Sequence, residues 1–358
     1  MNIRKIIRKS VQNAQGYTPG EQCIAGYLKL NANENFYPVP EKILEEVKAN
    51  LFDSLALYPD SRSETVRDVA AQSYGLKRGN IMVGNGSSEL LSLIYRTFIE
   101  EGDLVAMPSP GFTLNRSMVS IQGGRLVEVG WSDGYQLPVE ALLAVKAKII
   151  VITNPNNPTG TLCPINEIEA LAQAHDGLLV LDEAYVDFAE DNGLKLLEGN
   201  ENIIILRTFS KSYSVAGIRF GLAFSSKETI RNMLKVQNSY PVGKLTEVFA
   251  TTILKKRALF DSTIEQIKLQ REVTSKELST RGFKCTPSQA NFLFVKVPAG
   301  ANGADWYEAL KKEKILVRYF EGQGLDDCLR VTIGRSEEMK ILVRSIDGCL
   351  QHFFKSDL

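Results

Sequence analysis

The sequence predicts an α/β protein in which a mostly parallel central sheet is flanked by helices and a smaller α+β domain follows. Short apolar runs alternate with amphipathic helical patterns between residues 81 and 224. The apolar runs are nearly continuous, which is typical of parallel strands covered on both faces. After Tyr240 the pattern changes to charged helical segments with separate short strands. These observations predict a large domain and a small one.

The large domain is expected to contain seven strands. They are the runs IMV at Ile81, LVAM at Leu104, RLVEV at Arg125, KIIVIT at Lys148, LLVLD at Leu178, NIIIL at Asn202 and FGLAF at Phe220. Between the first two, residues 87–99 are predicted as a helix because Leu90, Leu91, Ile94 and Phe98 share one face. A proline in the first turn indicates another helix at residues 164–174.

The small domain is expected after residue 240. Residues 251–282 read as a long, charged helical region, NFLFVKV and ILVRYF have the pattern of strands, and SEEMKILVRSIDGCLQHFF has that of a closing amphipathic helix. We therefore predict an amino-terminal arm of residues 1–39 that joins the small domain, a large domain of residues 40–240 and a small domain of residues 241–358.

Composition excludes several classes of function. The chain has 358 residues, 44% hydrophobic residues and a net charge of zero, so nothing indicates a nucleic-acid partner. No window approaches the roughly 18 apolar residues of a membrane span. The basic start MNIRKIIRKS lacks the apolar stretch of a secretory signal, and a basic arm is favoured over a transit peptide.

Cysteine and histidine usage narrows the classes further. Five scattered cysteines suit reduced thiols in a cytosol better than a disulfide framework. Only His175 and His352 are present, far apart in the chain, so no histidine-based metal site is expected. A Ser–His–Asp hydrolase would depend on one of these two histidines.

A glycine turn, VGNGSSELL at residues 83–91, connects a predicted strand to a predicted helix. It fails as a dinucleotide fingerprint because Glu89 occupies the position of the third glycine, which disfavours a nicotinamide dehydrogenase. Ser87 and Ser88 begin the helix, whose free N–H groups and partial positive charge favour a phosphate. A plain helix cap explains the same residues equally well.

Two further predicted strands end in polar residues. ITNPNNPTG, residues 152–160, holds Asn157 among prolines, and a rigid turn alone would account for it. LLVLDEAYVDF ends its apolar run at Asp182, with Tyr185 three residues later. Ligands of open α/β folds bind at the carboxyl ends of strands, where a partly buried carboxylate needs a cation. A protonated pyridine nitrogen or a distant arginine would supply it.

The stretch TFSKSYSVAGIRFG, residues 208–221, follows the apolar run NIIIL. Lys211 lies there among hydroxyl groups that include Thr208 and Ser210, and Arg219 follows eight residues later. Each residue alone suits a solvated loop, which is where most lysines lie. Together they suit attack by a lysine on an aldehyde carbon and binding of a phosphate by the arginine fork.

These segments occur in one order on one kind of sheet, and the chain resembles a known family. It is similar to the pyridoxal-phosphate enzymes of the aspartate aminotransferase fold (fold type I), and within them to the histidinol-phosphate aminotransferases. The matching pieces run from residue 17 to residue 334 and are YTPGEQ, LKLNANENFYP, YPD, GNGSSELL, NPNNPTG, LDEAY, RTFSKSYSVAGIRFG and CLRVTIG. The lysine segment and NPNNPTG indicate the fold, and LNANENFYP with YTPGEQ indicates the subfamily.

The resemblance implies pyridoxal 5'-phosphate as the cofactor. Lys211 would hold it covalently and then carry a proton, and Asp182 would pair with the pyridinium nitrogen. Asn157 and Tyr185 would hydrogen-bond the ring hydroxyl oxygen, and Phe112 would stack on the ring, where many relatives have tyrosine. The phosphate would be bound by Ser87, Ser88, Thr208, Ser210, Arg219 and Tyr58 of the partner subunit.

The resemblance also implies a substrate, a homodimer with shared active sites and a cytoplasmic location. Arg330 would bind the substrate carboxylate or phosphate, assisted by Asn157, and Tyr17 would close over it. Arg318 would be the second cation there, with a surface ion pair as its alternative. The expected reaction is a ping-pong transamination between L-histidinol phosphate and 2-oxoglutarate, giving imidazole-acetol phosphate and L-glutamate, in histidine biosynthesis.

Three alternatives remain at the level of the sequence. A threonine-phosphate decarboxylase of the same fold would keep Lys211 and Asp182 but break a different bond. An aromatic amino acid aminotransferase shares these motifs. A regulatory module that binds the cofactor without catalysis is disfavoured, because such a module need not retain the whole set of Lys211, Asp182, Asn157, Tyr185 and Arg219.

Overall fold

The computed structural model of the chain describes residues 2–18, 20–22, 25–51, 55–300, 302–321 and 324–354. Its strands are β1 (Leu28–Lys29), β2 (Ile81–Gly84), β3 (Leu104–Ser109), β4 (Arg125–Gly130), β5 (Ile149–Thr153), β6 (Leu178–Asp182), β7 (Ile203–Thr208), β8 (Gly221–Phe224), β9 (Lys284–Cys285), β10 (Phe292–Lys296), β11 (Ile315–Leu316), β12 (Arg318–Tyr319) and β13 (Cys328–Thr332). Its α-helices are α1 (Lys9–Asn13), α2 (Glu41–Leu51), α3 (Glu64–Tyr74), α4 (Ser87–Phe98), α5 (Leu114–Gln122), α6 (Val139–Ala144), α7 (Ile165–Ala174), α8 (Lys227–Val236), α9 (Lys244–Lys255), α10 (Asp261–Ser279), α11 (Gly303–Lys312) and α12 (Ser336–Phe354).

The seven predicted strands form one sheet in the order β2-β8-β7-β6-β5-β3-β4. The pairs from β4 through β3, β5 and β6 to β7 are parallel, and β8 runs antiparallel to both β7 and β2. Every residue of β5 and β7 is buried. Alternate β5 residues enter two different cores, Ile149 and Val151 in one and Ile150 and Ile152 in the other. The predicted α/β architecture with a mostly parallel sheet is therefore confirmed.

Three neighbouring strands of this sheet end at the same edge. In the register of the sheet, Thr153 at the end of β5 lies beside Asp182 at the end of β6, and Asp182 lies beside Leu206 of β7. The polar segments that follow these strands are therefore brought together at the carboxyl edge, where ligands of such sheets bind.

A second, four-stranded antiparallel sheet has the order β12-β13-β10-β9. Its core includes Trp306 and Phe292, and Tyr185 from the loop after β6 joins the same core. The amino-terminal segment contacts both parts, because α1 packs on α5 while β1 pairs with β11. The division of the chain into an arm of residues 1–39, a large domain of residues 40–240 and a small domain of residues 241–358 remains a proposal.

Two segments differ from the sequence-based expectation. The helical region expected across residues 251–282 is not continuous, because the backbone of Lys256 is not helical and a short 3-10 helix at Arg257–Phe260 precedes α10. The break lets Phe260 be fully buried and lets Arg257 Nε reach the Tyr213 hydroxyl at 3.1 Å. The run ILVRYF likewise forms two short strands, β11 and β12, in different sheets.

Further short 3-10 helices lie at Ile3–Lys5, Arg78–Asn80, Asp133–Tyr135, Val186–Phe188, Leu194–Leu197 and Ala216–Ile218. None of the helices in the described ranges has the length and apolar character needed to cross a bilayer. The four cysteines in the described chain are free thiols, and Cys23 lies outside it.

Candidate active site

A cavity of about 290 Å³ lies at the carboxyl edge of the large sheet. Its walls contain every predicted site residue except Tyr58, namely Tyr17, Ser87, Ser88, Phe112, Asn157, Asp182, Tyr185, Thr208, Ser210, Lys211, Arg219, Arg318 and Arg330. Residues from the large sheet, the small sheet and the amino-terminal segment thus meet in one place.

Lys211 follows β7 and extends into this cavity. Its Nζ donates a hydrogen bond to the carbonyl oxygen of Ala32 at 3.1 Å and lies 5.8 Å from the centre of the Tyr185 ring. Burial lowers the pKa of Lys211 to about 8, and the positive charge of Arg330 acts in the same direction. A substantial fraction of the amine is therefore neutral near physiological pH, as a nucleophile requires.

Asp182 lies at the end of β6 with only 4% of its surface exposed. Its Oδ1 accepts a hydrogen bond from the backbone N–H of Ala184 at 3.1 Å. Burial raises the pKa of Asp182 to about 6, because the ionised carboxylate has lost its water and the Ala184 N–H and the positive charge of Lys211 offset only part of that loss. This side chain is suited to a cationic partner supplied by a ligand.

One end of the cavity is rich in donors that suit a phosphate. Ser87 and Ser88 begin α4 after Gly86, and this glycine, as the N-cap residue, has no side chain to bond the free N–H groups of the helix start. Arg219 Nη1 donates to Ser210 Oγ at 3.1 Å, and Thr208 Oγ1 donates to the same oxygen at 3.1 Å.

The backbone around these donors has no room for larger side chains. A Cβ at Gly86 would lie 2.5 Å from Arg219 Nη2, and a Cβ at Gly221 would lie 2.5 Å from the backbone nitrogen of Ser87. Glycine at both positions lets the arginine and the strand approach the helix start closely, and so concentrates N–H donors there.

Two arginines form the opposite end of the cavity. Arg318 on β12 and Arg330 on β13 are direct cross-strand partners in the small sheet. Arg330 Nη1 donates to Asn157 Oδ1 at 2.7 Å and Nη2 donates to the Asn31 carbonyl oxygen at 2.8 Å, whereas its buried Nε has no partner in the described chain. Like charges directly opposite on neighbouring strands repel each other, so this pair is suited to an anion.

Aromatic side chains surround the entrance. Tyr17 and Phe112 pack edge to face with ring centres 6.3 Å apart, and Tyr17 remains 41% exposed. Tyr58 lies away from the cavity of its own chain, is 80% exposed and stacks on Tyr240 with ring centres 4.5 Å apart.

Sequence reasoning assigned no role to several residues of the amino-terminal segment that form part of the site. Asn31, Ala32 and Asn33 line the cavity, and Asn33 Nδ2 donates to the Tyr185 hydroxyl at 2.9 Å. The motif LNANENFYP contains all three residues, but the sequence of the motif does not indicate which strand ends these residues contact. A fully buried, left-handed asparagine such as Asn33, with φ of 54°, is the kind of outlier that marks a functional segment.

The residues of the cavity fit pyridoxal 5'-phosphate. Among the described lining residues, four side chains are cationic (Lys211, Arg219, Arg318 and Arg330) and one, Asp182, is a carboxylate. This excess of positive charge suits a dianionic phosphate together with an anionic substrate. The buried Asp182 carboxylate suits the pyridinium nitrogen, which is the cofactor's one cationic group.

Comparisons with known proteins agree with this geometry. The family model for aminotransferase class I and II matches residues 25–346. The histidinol-phosphate aminotransferase of Sinorhizobium fredii is 44% identical over 326 residues, which cover 90% of this chain and 88% of that protein. Histidinol-phosphate aminotransferase 3 of Mesorhizobium japonicum is 42% identical over 324 residues, with the same two shares of 90% and 88%.

A solved structure has the same fold over nearly the whole chain. It is the histidinol-phosphate aminotransferase of Sinorhizobium meliloti in complex with pyridoxal-5'-phosphate, which has a TM-score of 0.87 and 25% identity, and the match covers 97% of this chain and 98% of that one. The resemblance noted in the motifs is thereby confirmed, and the chain belongs to the family of class I and II aminotransferases.

Proposed function

We propose that this aminotransferase exchanges amino groups between L-histidinol phosphate and 2-oxoglutarate, giving imidazole-acetol phosphate and L-glutamate in histidine biosynthesis. The names of the two relatives support histidinol phosphate as the substrate. The observation that carries the proposal is the division of one cavity into a donor-rich end at Ser87 and Arg219, a central Lys211 and Asp182, and a second anion site at Arg318 and Arg330.

Pyridoxal 5'-phosphate is the cofactor of this family. When bound, it supplies an aldehyde carbon for the amino group and a ring that accepts the electron pair left when a proton leaves the neighbouring carbon. We assign its phosphate to Arg219, Ser210, Thr208 and the start of α4. We assign its ring to Asp182, Tyr185, Asn157 and the face of Phe112.

Lys211 performs the proton transfers in this proposal. Its amine is neutral in part because burial lowers its pKa to about 8. With the cofactor bound and the amino group of the substrate in its place, the Lys211 amine would accept the proton from the substrate carbon and would carry it to the aldehyde carbon of the cofactor. Asp182 would hold the cofactor by its pyridinium nitrogen and would stay ionised there, because that cation would lie beside the carboxylate.

Arg330 and Arg318 bind the anionic group at the far end of the substrate. Glutamate and 2-oxoglutarate bring a carboxylate to this end, and histidinol phosphate brings a phosphate. A planar guanidinium donates two parallel hydrogen bonds to either group. Asn157 and the Asn31 carbonyl oxygen hold two nitrogens of Arg330, which leaves its Nε as the donor that faces no protein acceptor in the described chain.

Absorbance spectroscopy of the purified enzyme tests the proposal. We expect a visible band from the lysine-bound cofactor that bleaches with L-histidinol phosphate and returns with 2-oxoglutarate. Lys211→Ala should abolish the band and lower turnover by several orders of magnitude, because nucleophile and proton carrier are lost together. Lys195→Ala, an exposed lysine, serves as the control that leaves both unchanged.

Three outcomes would contradict parts of this assignment. If only an aromatic amino acid bleaches the band, the substrate is an aromatic amino acid and not histidinol phosphate. Release of carbon dioxide from threonine phosphate would replace the reaction with a decarboxylation. A protein that shows no band when pyridoxal 5'-phosphate is supplied would overturn the role of Lys211.

We also propose a cytoplasmic homodimer in which Tyr58 of the partner subunit reaches the phosphate. Leu57 and Tyr58 are 69% and 80% exposed, an apolar surface that a second subunit would cover. Mixing Lys211→Ala and Tyr58→Ala chains tests this arrangement. Shared sites predict that the mixture is more active than either variant alone, and activity no higher than that of the parents would contradict it.

A further inference from the structure

We propose that Asn33 is a positioning residue that directs the hydroxyl proton of Tyr185 toward the cofactor. This inference rests on the proposed function, because Tyr185 is there assigned to the cofactor ring. Asn33 itself does not reach the ring in this scheme. It acts through one hydrogen bond, from Asn33 Nδ2 to the Tyr185 hydroxyl oxygen at 2.9 Å.

The orientation of the Asn33 amide is determined by Thr332 at the end of β13. The Asn33 backbone N–H donates to Thr332 Oγ1 at 3.0 Å, and the Thr332 hydroxyl in turn donates to Asn33 Oδ1 at 3.2 Å. Thr332 is fully buried, and its hydroxyl has no other hydrogen-bond partner in the described chain. If the amide were reversed, the Thr332 proton would face Nδ2, which accepts nothing, and a buried donor without an acceptor is costly.

The backbone of Asn33 is equally constrained. Its φ is 54°, in the left-handed region that asparagine tolerates better than most residues. Asn291 Nδ2 donates to the Asn33 carbonyl oxygen at 3.0 Å, so the residue is held from both sides by the small sheet. The side chain is 1% exposed and cannot turn toward water.

A direction for the Tyr185 proton follows from this chain of hydrogen bonds. Asn33 Nδ2 can only donate, so the Tyr185 oxygen must accept from it. The single proton of the phenol is then free for another acceptor, and within the described residues Asn33 is the one protein hydrogen-bond partner of this hydroxyl. Tyr185 lines the cavity, so the proton is available to the ring oxygen of the cofactor.

This direction matters for the chemistry. A hydrogen bond donated to an anionic ring oxygen stabilises the form of the lysine-bound cofactor that has lost its proton. If the Tyr185 hydrogen bond to the ring oxygen is lost, the lysine-bound cofactor holds its own proton more tightly. The pH midpoint of the visible absorbance band then rises. Asn33→Asp replaces the donor by an acceptor of the same shape, so the Tyr185 proton would turn to residue 33 and away from the ring.

A double-mutant cycle on the holoenzyme tests the inference. We expect Tyr185→Phe to raise the midpoint of the band by on the order of one pH unit, the size of a charge-assisted hydrogen bond. Asn33→Asp should raise it in the wild-type background and leave it unchanged in the Tyr185→Phe background. An equal rise in both backgrounds would mean that only the new charge acts, and no rise at all would mean that Asn33 does not orient the phenol; either result overturns the inference.

Two controls separate this role from folding and from charge. Asn33→Gly accepts the left-handed backbone and reports whether the segment still folds. Asn35→Asp adds the same charge to the same segment, where the side chain donates to the Ser212 carbonyl oxygen, and should act equally in both backgrounds.

A cofactor-free readout keeps the inference separate from the proposed function. In the cofactor-free protein labelled with ¹⁵N-asparagine, the Asn33 amide proton should shift upfield in Tyr185→Phe. If it does not move, the inference is wrong whatever the cofactor does.

Discussion

Replacing Asp182 by asparagine should stabilise the cofactor-free protein against unfolding. The same substitution should abolish the activity of the protein when the cofactor is supplied. Asparagine has the shape of aspartate but no charge, so it removes the buried carboxylate without leaving a hole. Its amide oxygen can still accept from the Ala184 N–H, as Asp182 Oδ1 does at 3.1 Å. In the cofactor-free chain, the buried ionised carboxylate of Asp182 lowers the free energy of unfolding.

The size of this effect follows from the pKa of Asp182. Burial raises this pKa from the ordinary 3.8 to about 6. Each tenfold change in proton affinity corresponds to about 1.4 kcal/mol, so keeping the folded carboxyl ionised at neutral pH costs about 3 kcal/mol. Because the folded pKa lies above the unfolded one, this cost is absent below about pH 4, grows as the pH rises through 6 and is constant above about pH 7.

Thermal unfolding of the cofactor-free proteins measures this cost. With an unfolding entropy of roughly 2.1 cal/mol/K per residue, a chain of 358 residues should gain about 4 °C in Tm from Asp182→Asn at pH 7.5. The gain should shrink steadily as the pH is lowered toward 4.5. Adding pyridoxal 5'-phosphate should reverse the order, since only the wild-type carboxylate gains a cation.

A surface substitution provides the control for loss of charge. Asp133→Asn removes an exposed carboxylate and should leave Tm nearly unchanged at every pH. If Asp182→Asn lowers the Tm of the cofactor-free protein at pH 7.5, or if its gain in Tm does not depend on pH, the buried ionised carboxylate does not destabilise the fold.

Three other substitutions test separate parts of the site. Arg330→Met removes a charge that lowers the pKa of Lys211, so the pH midpoint for covalent attachment of the cofactor should rise above that of the wild type. Stopped-flow absorbance measures the midpoint, and an unchanged value contradicts the coupling. Glu183→Gln leaves the buried Arg207 without its carboxylate and should lower the free energy of unfolding by about 3–5 kcal/mol in urea titrations. A loss below about 1 kcal/mol would show that this ion pair contributes little to stability. Gly221→Ala brings a methyl group within 2.5 Å of the Ser87 backbone nitrogen and so displaces the start of α4. Because that helix start is assigned to the phosphate, cofactor binding should weaken at least about tenfold in a fluorescence titration. An unaltered Kd would mean that the helix start does not bind the phosphate.

The large sheet and the meeting of Asp182, Asn157 and Lys211 at its edge could be predicted because their signals are local, whereas the other site residues were assigned through the resemblance to a known family. Each of the seven strands is a short apolar run bounded by polar or glycine residues, and each predicted run forms a strand. Asp182, Asn157 and Lys211 each follow such a run closely, so their meeting at one edge follows from parallel pairing alone. The prediction needed no knowledge of contacts distant in sequence.

The remaining features depend on contacts between distant segments, which a single sequence does not encode in its local pattern. Asn33 meets Tyr185 across 152 positions and Thr332 across 299. The pairing of Arg318 with Arg330 depends on the register of two short strands that share one sheet. The break at Lys256 arises because Phe260 gains a buried position, a tertiary effect that overrides helix propensity.

Two adjacent carboxylates show which buried charges serve the fold and which serve the ligand. Glu183 lies one residue after Asp182 and is held by both Nε and Nη2 of Arg207, at 2.9 and 2.8 Å, and by the Gly193 N–H. Asp182 is also buried, yet among the described residues its carboxylate accepts a hydrogen bond from one backbone N–H, that of Ala184. A chain selected for stability alone would neutralise both charges, since an unpaired buried carboxylate is costly. Arg207 pairs with Glu183, and the cation proposed for Asp182 is the pyridinium nitrogen of the cofactor. That asymmetry between neighbouring residues is the physical reason for assigning Asp182 to the cofactor.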